Sequence, residues 1–197
     1  MRTDYLQFSA DSNAIKDIWD DIRPKSQKVP WHNLLWFPLH IPKHCLIVWM
    51  AIQDRLPTRD RLQNMGINIA ALCVNCSNYP ETRNHLFADC SLADRLWNII
   101  LNVNGMNASH LSWNEMVYRA ITSWKWKSQI TSIVKIAWSA FIYSIWQERN
   151  QRIFQARSRS AEQLFTEIYE AVRLSLRGKT INRIDSTNLS LCNAWGL

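Results

Sequence analysis

Three cysteines and one histidine stand close together near the middle of the 197-residue chain, at Cys73, Cys76, His85 and Cys90. Their spacing, C-x2-C-x8-H-x4-C, is typical of structural zinc sites, because a two-residue gap lets one tight turn aim two sulfurs at a single point. Three thiolates and one imidazole fill a tetrahedral Zn²⁺ shell and leave no position for water or substrate. The pattern therefore predicts one structural Zn²⁺ that stabilises the fold and performs no chemistry.

The second pair of ligands places a condition on the local structure. His85 and Cys90 are five residues apart, about 140° out of phase on an unbroken helix, so they cannot share one helical face. A break near Ala88–Asp89 resolves this, with His85 closing one helical turn and Cys90 beginning the next, where a thiolate is electrostatically favoured. The alternative is a set of reduced core cysteines with a buried histidine, and the combined spacing favours the metal. Cys45 is expected to pack in the core, and Cys192 has no partner pattern.

The composition indicates an ordered, helical protein. Hydrophobic residues make up 47% of the chain, and there are only four glycines and six prolines. Strand-and-turn architectures usually use glycine more freely, because their turns need positive φ angles. Eleven tryptophans supply a large area for burial in a core. We therefore predict an all-α fold, a compact helical domain with the zinc knuckle inserted between helices.

Apolar periodicity and capping residues divide the chain into helices. The first is capped at Asp11 or Ser12 and ends at Ile22, and a looser stretch follows it. The stretch 179–197 is polar and is expected to be partly disordered. The other predicted helices are Pro42–Leu56, Thr58–Met65, Ser91–Asn104, one capped by Ser112 with Glu115, one from about Ser128 to Phe154, and one capped by Ser160 with Gln163 that runs to Arg177.

Positive charge is concentrated in the second part of the chain. Residues 1–118 hold 11 Lys and Arg against 11 Asp and Glu, whereas residues 119–197 hold 12 against 5 and so carry the whole formal charge of +7. An anionic partner is therefore expected there. The alternative is a solvated helix surface with ordinary ion pairs. The candidate nucleic-acid-binding residues are Lys125, Trp126, Lys127, Arg149, Arg152, Arg157 and Arg159.

Targeting signals are not evident at the start of the sequence. The segment MRTDYLQFSADSN lacks the basic-then-apolar plan of a secretory signal, and no apolar run reaches the ~18 residues of a membrane span. An odd number of cysteines, three of them at metal-ligand spacing, suits a reducing compartment better than a disulfide framework. We expect an intracellular protein, in the nucleus or the cytoplasm, with no membrane partner.

Taken together, these motifs resemble the zinc-binding domain that follows the polymerase in plant LINE-type (non-LTR) retrotransposon reverse transcriptases. The resemblance covers roughly residues 31–155. Downstream of the knuckle, residues 145–154, with the sequence IWQERNQRIF, resemble a segment that often follows that domain. The matching features are Trp31, Trp36, Pro42-Lys43, Trp49, the sequence LPTRDRL at 56–62, Gly66, Cys73, Cys76, Glu81-Thr82, His85-Leu86-Phe87, Cys90 and Trp97.

The sequence departs from this family pattern at two places. The family usually has proline and glycine around the cysteine pair, where this chain has Val74 and Ser77. An acidic residue commonly precedes the histidine, where this chain has Asn84. Neither change removes a ligand, and both concern groups that support the ligands. The Tyr-x-Asp-Asp quartet of a polymerase is also missing, so the resemblance is to a stand-alone, retrotransposon-derived remnant that cannot copy nucleic acid.

The resemblance implies a division of the chain and a function. The divisions are an N-terminal helix and linker (1–30), the zinc-binding region (31–105), a basic helical region packed on it (106–178) and the polar tail (179–197). In the family this domain is presumed to engage RNA or target DNA. We therefore expect a non-catalytic module that binds RNA or single-stranded nucleic acid through its basic C-terminal helices.

Two other functions remain open from the sequence. A tryptophan-rich scaffold separated from its polymerase would expose apolar surface, which favours binding to a host protein or to a copy of itself. An enzyme is the weakest hypothesis, because no serine-nucleophile motif or phosphate loop is present. His32, His40, His44 and His110 have no convincing partners in the sequence, so no catalytic residue is predicted. The remaining enzyme hypothesis is a metal-dependent nuclease whose carboxylates come from distant positions in the sequence.

Overall fold

The computed structural model describes residues 27–107, 110–124, 129–177 and 186–197, together with the single positions Ile18 and Ile22. The chain divides into two units, Met1–Pro30 and Trp31–Leu197. In the first unit Ile18 and Ile22 are helical, and the remainder of the predicted N-terminal helix lies outside the described residues.

The second unit is built from helices. A π-helical turn, His85–Asp89, precedes the fourth of them, and the described residues contain no strand, apart from one isolated bridge between Leu72 and Pro80. The all-α prediction is therefore confirmed. None of the helices in the described ranges is both long and apolar enough to cross a membrane. In chain order the helices are α1 His32–Leu35, α2 Pro42–Ile52, α3 Arg59–Asn64, α4 Ser91–Val103, α5 Trp113–Ser123, α6 Gln129–Gln155, α7 Ala161–Leu176 and α8 Ser186–Ala194.

Helix boundaries follow from local chemistry. Ser112 and Ser160 each cap a helix with a complete capping box, in which the serine hydroxyl and the side chain three residues later satisfy each other's backbone N–H groups. Pro42 lies in the first turn of α2, where its missing N–H costs nothing. The helix ends at Ile52, earlier than the predicted Leu56, because Asp54 takes a positive φ of 52°.

Helix α6 forms the centre of the second unit. Between Thr131 and Trp146 every side chain except those of Ser132 and Tyr143 is buried. Helices α2, α4 and α7 pack against it from different sides, and α4 also packs against α7. A helix that is apolar on nearly all sides is stable only when it is surrounded in this way, so α6 organises the core and fixes the position of everything attached to it.

The C-terminal residues correct one sequence-based prediction. Residues 186–197, expected to belong to a partly disordered tail, form α8 and a short extension. Trp195 is 0% exposed, stacks against Tyr169 at 5.7 Å between ring centroids, and donates from its indole nitrogen to the Asn104 side chain at 3.3 Å. The segment looked polar because its few apolar residues are spread among Ser and Asn, yet they converge on the core. Residues 178–185 lie outside the described residues.

Candidate metal centre

The four predicted ligands meet at one point. The donor atoms of Cys73, Cys76, His85 and Cys90 all lie within 4.8 Å of one another. The two sulfurs of Cys73 and Cys90 are 4.0 Å apart, and Nε2 of His85 is 3.2 Å from the sulfur of Cys76. Tetrahedral Zn²⁺ with its usual bond lengths would set about 3.8 Å between two sulfurs and about 3.6 Å between sulfur and nitrogen. The donor set and its spacing therefore fit one Zn²⁺.

The first half of the knuckle is a tight turn. The backbone N–H of Cys73 donates to the Tyr79 carbonyl at 2.8 Å, and the N–H of Ser77 donates to the Cys73 carbonyl at 2.7 Å. These bonds fold the chain so that Cys73 and Cys76 face the same point. Ser77 has a φ of +60°, a conformation that strains residues with a Cβ. The glycine that the resembling family places around this turn would meet that need without strain.

The second half shows how the chain solves the phase problem between His85 and Cys90. The π-helical turn His85–Asp89 widens the backbone, and the N–H of Cys90 donates to the His85 carbonyl at 2.7 Å. Cys90 then has an extended backbone, with φ −69° and ψ 130°, and it is the N-cap residue of α4. The predicted break before Cys90 is thus present, and its form is a π turn followed directly by a new helix.

The cysteines and the histidine of the site shift one another's pKa or respond to burial. Donation from the Cys73 thiol lowers the pKa of Cys90 against the opposing effect of burial, and the backbone N–H groups of Leu92 and Ala93 lower it further. The same hydrogen bond, together with burial, raises the pKa of Cys73 above its ordinary range. Burial lowers the pKa of His85, although Asp89 and Glu81 partly oppose this. Zinc binds a deprotonated thiolate and a neutral imidazole, so metal binding at these residues competes with their protons.

A buried ion pair attaches the knuckle to α6. Arg149 donates from Nε and Nη2 to Oε1 of Glu81, at 3.0 and 2.9 Å, and also to the Pro57 carbonyl at 3.2 Å. The Arg149 side chain is 4% exposed and that of Glu81 is 0% exposed. The guanidinium of Arg149, predicted to bind nucleic acid, is therefore enclosed and already paired in this structure. Its role in this structure is to hold the chain between Pro57 and Glu81 against α6.

A second buried carboxylate supports the cysteine turn itself. Glu148 accepts from Arg152 at 2.6 Å and from Arg159 at 2.9 Å, and Arg152 donates in turn to the Asn75 carbonyl at 2.8 Å, between the two cysteines of the turn. Burial would raise the pKa of Glu148, but the backbone N–H of Arg159 and the two guanidinium groups outweigh it and lower the pKa. Arg152 and Arg159 are thus committed to internal contacts, contrary to their predicted role in binding nucleic acid.

The other predicted nucleic-acid contacts have different fates. Lys125, Trp126 and Lys127 lie outside the described residues. Arg157 is exposed and has no ion pair within the described ranges. Sequence reasoning did not assign any role to Glu81 and Glu148. The signal that could have found the second was the run Gln147–Asn150, because charges inside an otherwise apolar helix must be paired when they are buried.

The fold and the site define an all-α module that carries a candidate zinc centre of three cysteines and one histidine. Residues 14–97 match a protein family described as zinc-binding in reverse transcriptase, and all four ligands lie within the matched range. The chain is therefore similar to such zinc-binding regions over that part of its length, and the family description agrees with the donor set. Neither a curated protein nor a solved structure matches the chain significantly.

Proposed function

We propose that this protein is a zinc-stabilised module that binds nucleic acid and performs no catalysis. The observation that supports this most directly is a separation of charge along the sequence. Residues 31–53 and 116–147 contain no Asp or Glu and hold five Lys or Arg, most of the formal charge of +7. The described parts of these two acid-free segments pack together as α1, α2 and the first two thirds of α6. A polyanion is the partner that such a surface attracts.

The Lys and Arg residues outside the two acid-free segments contribute less to a positive field. In the described part of the chain, arginines outside the two acid-free segments are commonly paired with carboxylates. Examples are Arg95 with Glu162 at 2.5 Å and Arg173 with Glu170 at 3.1 Å. Paired charges contribute little to a long-range field. The proposal therefore moves the nucleic-acid contact away from the basic C-terminal helices and onto the acid-free segments.

Zinc has a structural part in this proposal. Three thiolates and Zn²⁺ sum to a charge of −1, so the filled site would not attract phosphate. Its contribution is to lock the knuckle, which Arg149 and Arg152 connect to α6. The metal thereby rigidifies one side of the same helix whose other side belongs to the acid-free surface.

The test is equilibrium binding of the zinc-loaded protein to a fluorescent single-stranded RNA, measured by anisotropy at 50 and 200 mM salt. We expect binding at the lower salt and a steep loss at the higher, by tenfold or more, because released counterions drive the association. Replacing Lys125 and Lys127 together by Gln should weaken binding. Arg173→Gln should not, because Arg173 lies on α7 and is already paired with Glu170. Absence of binding at 50 mM salt would overturn the proposal.

The alternative is a protein-interaction module, and one surface favours it. An apolar groove of about 470 Å³ lies between α2, α3 and the end of α6, with Phe154 at its edge and 77% exposed. Large exposed apolar side chains beside a groove are typical of protein interfaces. Recovery from native extract of a specific host protein, in equal amount with and without nuclease treatment, and its loss in Phe154→Ser, would establish this alternative.

The origin and location of the protein are part of the proposal. The match over residues 14–97 and the motifs that extend to residue 155 support descent from a plant LINE-type retroelement. Reduced cysteines at metal spacing support an intracellular compartment, the nucleus or the cytoplasm. Microscopy of the tagged protein in plant cells, together with fractionation, tests the compartment directly.

A further inference from the structure

The acid-free segments carry a row of rings at the protein surface, which we call the aromatic strip and define as Trp36, His40, Lys43 and Tyr143. Trp36 is 46% exposed and lies edge-on to His40, with 5.6 Å between ring centroids. The Nζ of Lys43 lies over the Tyr143 ring, 5.1 Å from its centroid. Nearly half of the Trp36 side chain is therefore accessible to a ligand.

Helix α6 contacts the segment that carries Trp36 and contributes Tyr143 to the strip. Lys135 donates to the Asn33 carbonyl at 3.0 Å and lies 5.6 Å from the Phe37 ring, next to Trp36. Tyr143, one of the two incompletely buried side chains between Thr131 and Trp146, lies beside Lys43. Eight residues of helix separate Lys135 from Tyr143, which is about 12 Å.

The rings are fixed in place before any ligand arrives. His44 stacks against Tyr143 with 4.4 Å between centroids, and it is itself buried. Nδ1 of His40 makes a 2.6 Å contact with the Phe37 carbonyl, which fixes its ring beside Trp36. Rings that are already ordered lose little conformational entropy on stacking with a ligand.

The charges facing the strip all suit an anion. Lys43 is exposed, and no carboxylate is present in the acid-free segments from which the strip is formed. Lys135 is buried and tied to Asn33, so it contributes field but no direct contact. His44 adds no charge at neutral pH, because burial, and secondly Lys43, lower its pKa to about 4. Within the described parts of the two acid-free segments, a phosphate backbone would therefore meet no carboxylate.

We infer that the aromatic strip binds single-stranded nucleic acid, with an unpaired base stacked on Trp36 and a phosphate at Lys43. This inference rests on the proposed function and specifies its site and ligand. Rings beside a single exposed lysine suit unpaired bases, since stacking needs an open base face that a duplex keeps covered. A protein hot spot would be expected to include a deep apolar pocket, and the apolar groove described above lies elsewhere, at α3 and the end of α6.

The test compares the intact zinc-loaded protein with point variants on four labelled probes: single-stranded RNA, single-stranded DNA and the two duplexes. Trp36→Ala should weaken binding to both single strands about 5- to 100-fold, the usual effect of losing one stacked base, and should leave duplex binding within about twofold. Trp36→Phe, which keeps a ring, should restore most of the affinity. Lys43→Gln should reduce the salt dependence by about one counterion.

Phe154→Ala is the matched control, because it removes an exposed ring at 77% exposure outside the strip. Circular dichroism verifies that each variant is folded. If the wild-type protein binds no probe, the proposed function fails. If it binds but Trp36→Ala behaves like Phe154→Ala, or loses duplex affinity equally, nucleic-acid binding stands and the aromatic strip is overturned as its site.

Discussion

Arg149 and Glu81, 68 residues apart in sequence, form a buried ion pair in which two guanidinium nitrogens donate to the same carboxylate oxygen. The pair joins the segment that leads into the second half of the zinc knuckle to the central helix α6. Arg149 reaches the Pro57 carbonyl as well, so three parts of the chain depend on one guanidinium. The knuckle is therefore held by side chains in addition to the metal that its ligands would bind.

Removing Arg149 alone should be strongly destabilising. Arg149→Met leaves the carboxylate of Glu81 buried without its partner, which typically costs about 3–5 kcal/mol of unfolding free energy. Urea denaturation followed by circular dichroism measures this loss. The double variant Arg149→Met with Glu81→Leu should recover a large part of the stability, because no buried charge remains unpaired. A double variant no more stable than Arg149→Met would contradict this account.

Arg152 should control the affinity for zinc. Arg152→Gln removes the hydrogen bond to the Asn75 carbonyl inside the cysteine turn, so the side chains of Cys73 and Cys76 are no longer held in a fixed orientation. We expect zinc affinity to fall about tenfold or more, in the range found when groups that support metal ligands are removed. Competition with a chromophoric chelator gives the affinity. Arg173→Gln is the control, since its pair with Glu170 is exposed, and it should leave zinc affinity unchanged.

The metal itself should be structural and present once per chain. Elemental analysis of the purified protein should give about one zinc, and Cys90→Ser should abolish tight binding, because it removes a ligand that is also the N-cap residue of α4. The variant or a strong chelator should reduce the helical signal, since the folding free energy includes the metal-binding term. Cys45→Ser, at a buried cysteine outside the cluster, should retain zinc. Metal-free protein with undiminished helicity would refute the structural role.

His44 should make the protein sensitive to mild acid. Its folded-state pKa of about 4 lies below the ordinary value of 6.5, so the unfolded chain takes up this proton first as the pH falls. The stability linked to His44 is complete above about pH 6.5 and is lost progressively towards pH 4, by about 3 kcal/mol in total. Urea unfolding at pH 7.5, 6.5 and 5.5 measures the slope. His44→Phe keeps the stacking ring on Tyr143 and should show a shallower slope, and equal slopes would refute the assignment.

Ser77 offers a stabilising substitution. Ser77→Gly should raise the unfolding free energy by about 0.5–1 kcal/mol, because the relief of strain at φ +60° exceeds the extra entropy of glycine in the unfolded chain. Ser77→Ala, which keeps the Cβ, should give no such gain and serves as the comparison. Thermal unfolding of the zinc-loaded forms distinguishes them. A melting temperature of Ser77→Gly below that of the wild type would show that another contact of Ser77 matters more.

The helices that the sequence predicted well are those with local signals. The serine caps at Ser112 and Ser160 and the apolar pattern of α6 define their helices within a few residues, since each signal lies inside the element. Helix α1 was missed because its four residues span barely one helical turn, too few for an apolar pattern to repeat. The burial of Trp195 was also missed, because its partners Tyr169 and Asn104 are distant in sequence.

The same distinction applies to the site. The four ligands were identified because they lie within one short segment with a characteristic spacing. The internal ion pairs of Arg149, Arg152 and Arg159 were not predicted, because a count of charges does not tell which of them meet a carboxylate in the folded chain. Glu81 lies far from Arg149 in sequence, so only the packing of the knuckle on α6 brings them together.

The order of these residues along the chain has a consequence for biosynthesis. The last zinc ligand, Cys90, is translated about sixty residues before Arg149. A growing chain therefore holds all four ligands before it contains the arginine that attaches the knuckle to α6. During that interval the knuckle depends on zinc and on its own local hydrogen bonds, without the contacts from Arg149 and Arg152. Translation under zinc limitation should therefore yield aggregated or degraded chains, even where the finished, folded protein tolerates the same zinc concentration. A pulse-chase measurement with zinc withdrawn before or after synthesis would separate sensitivity to zinc loss during translation from sensitivity of the folded protein.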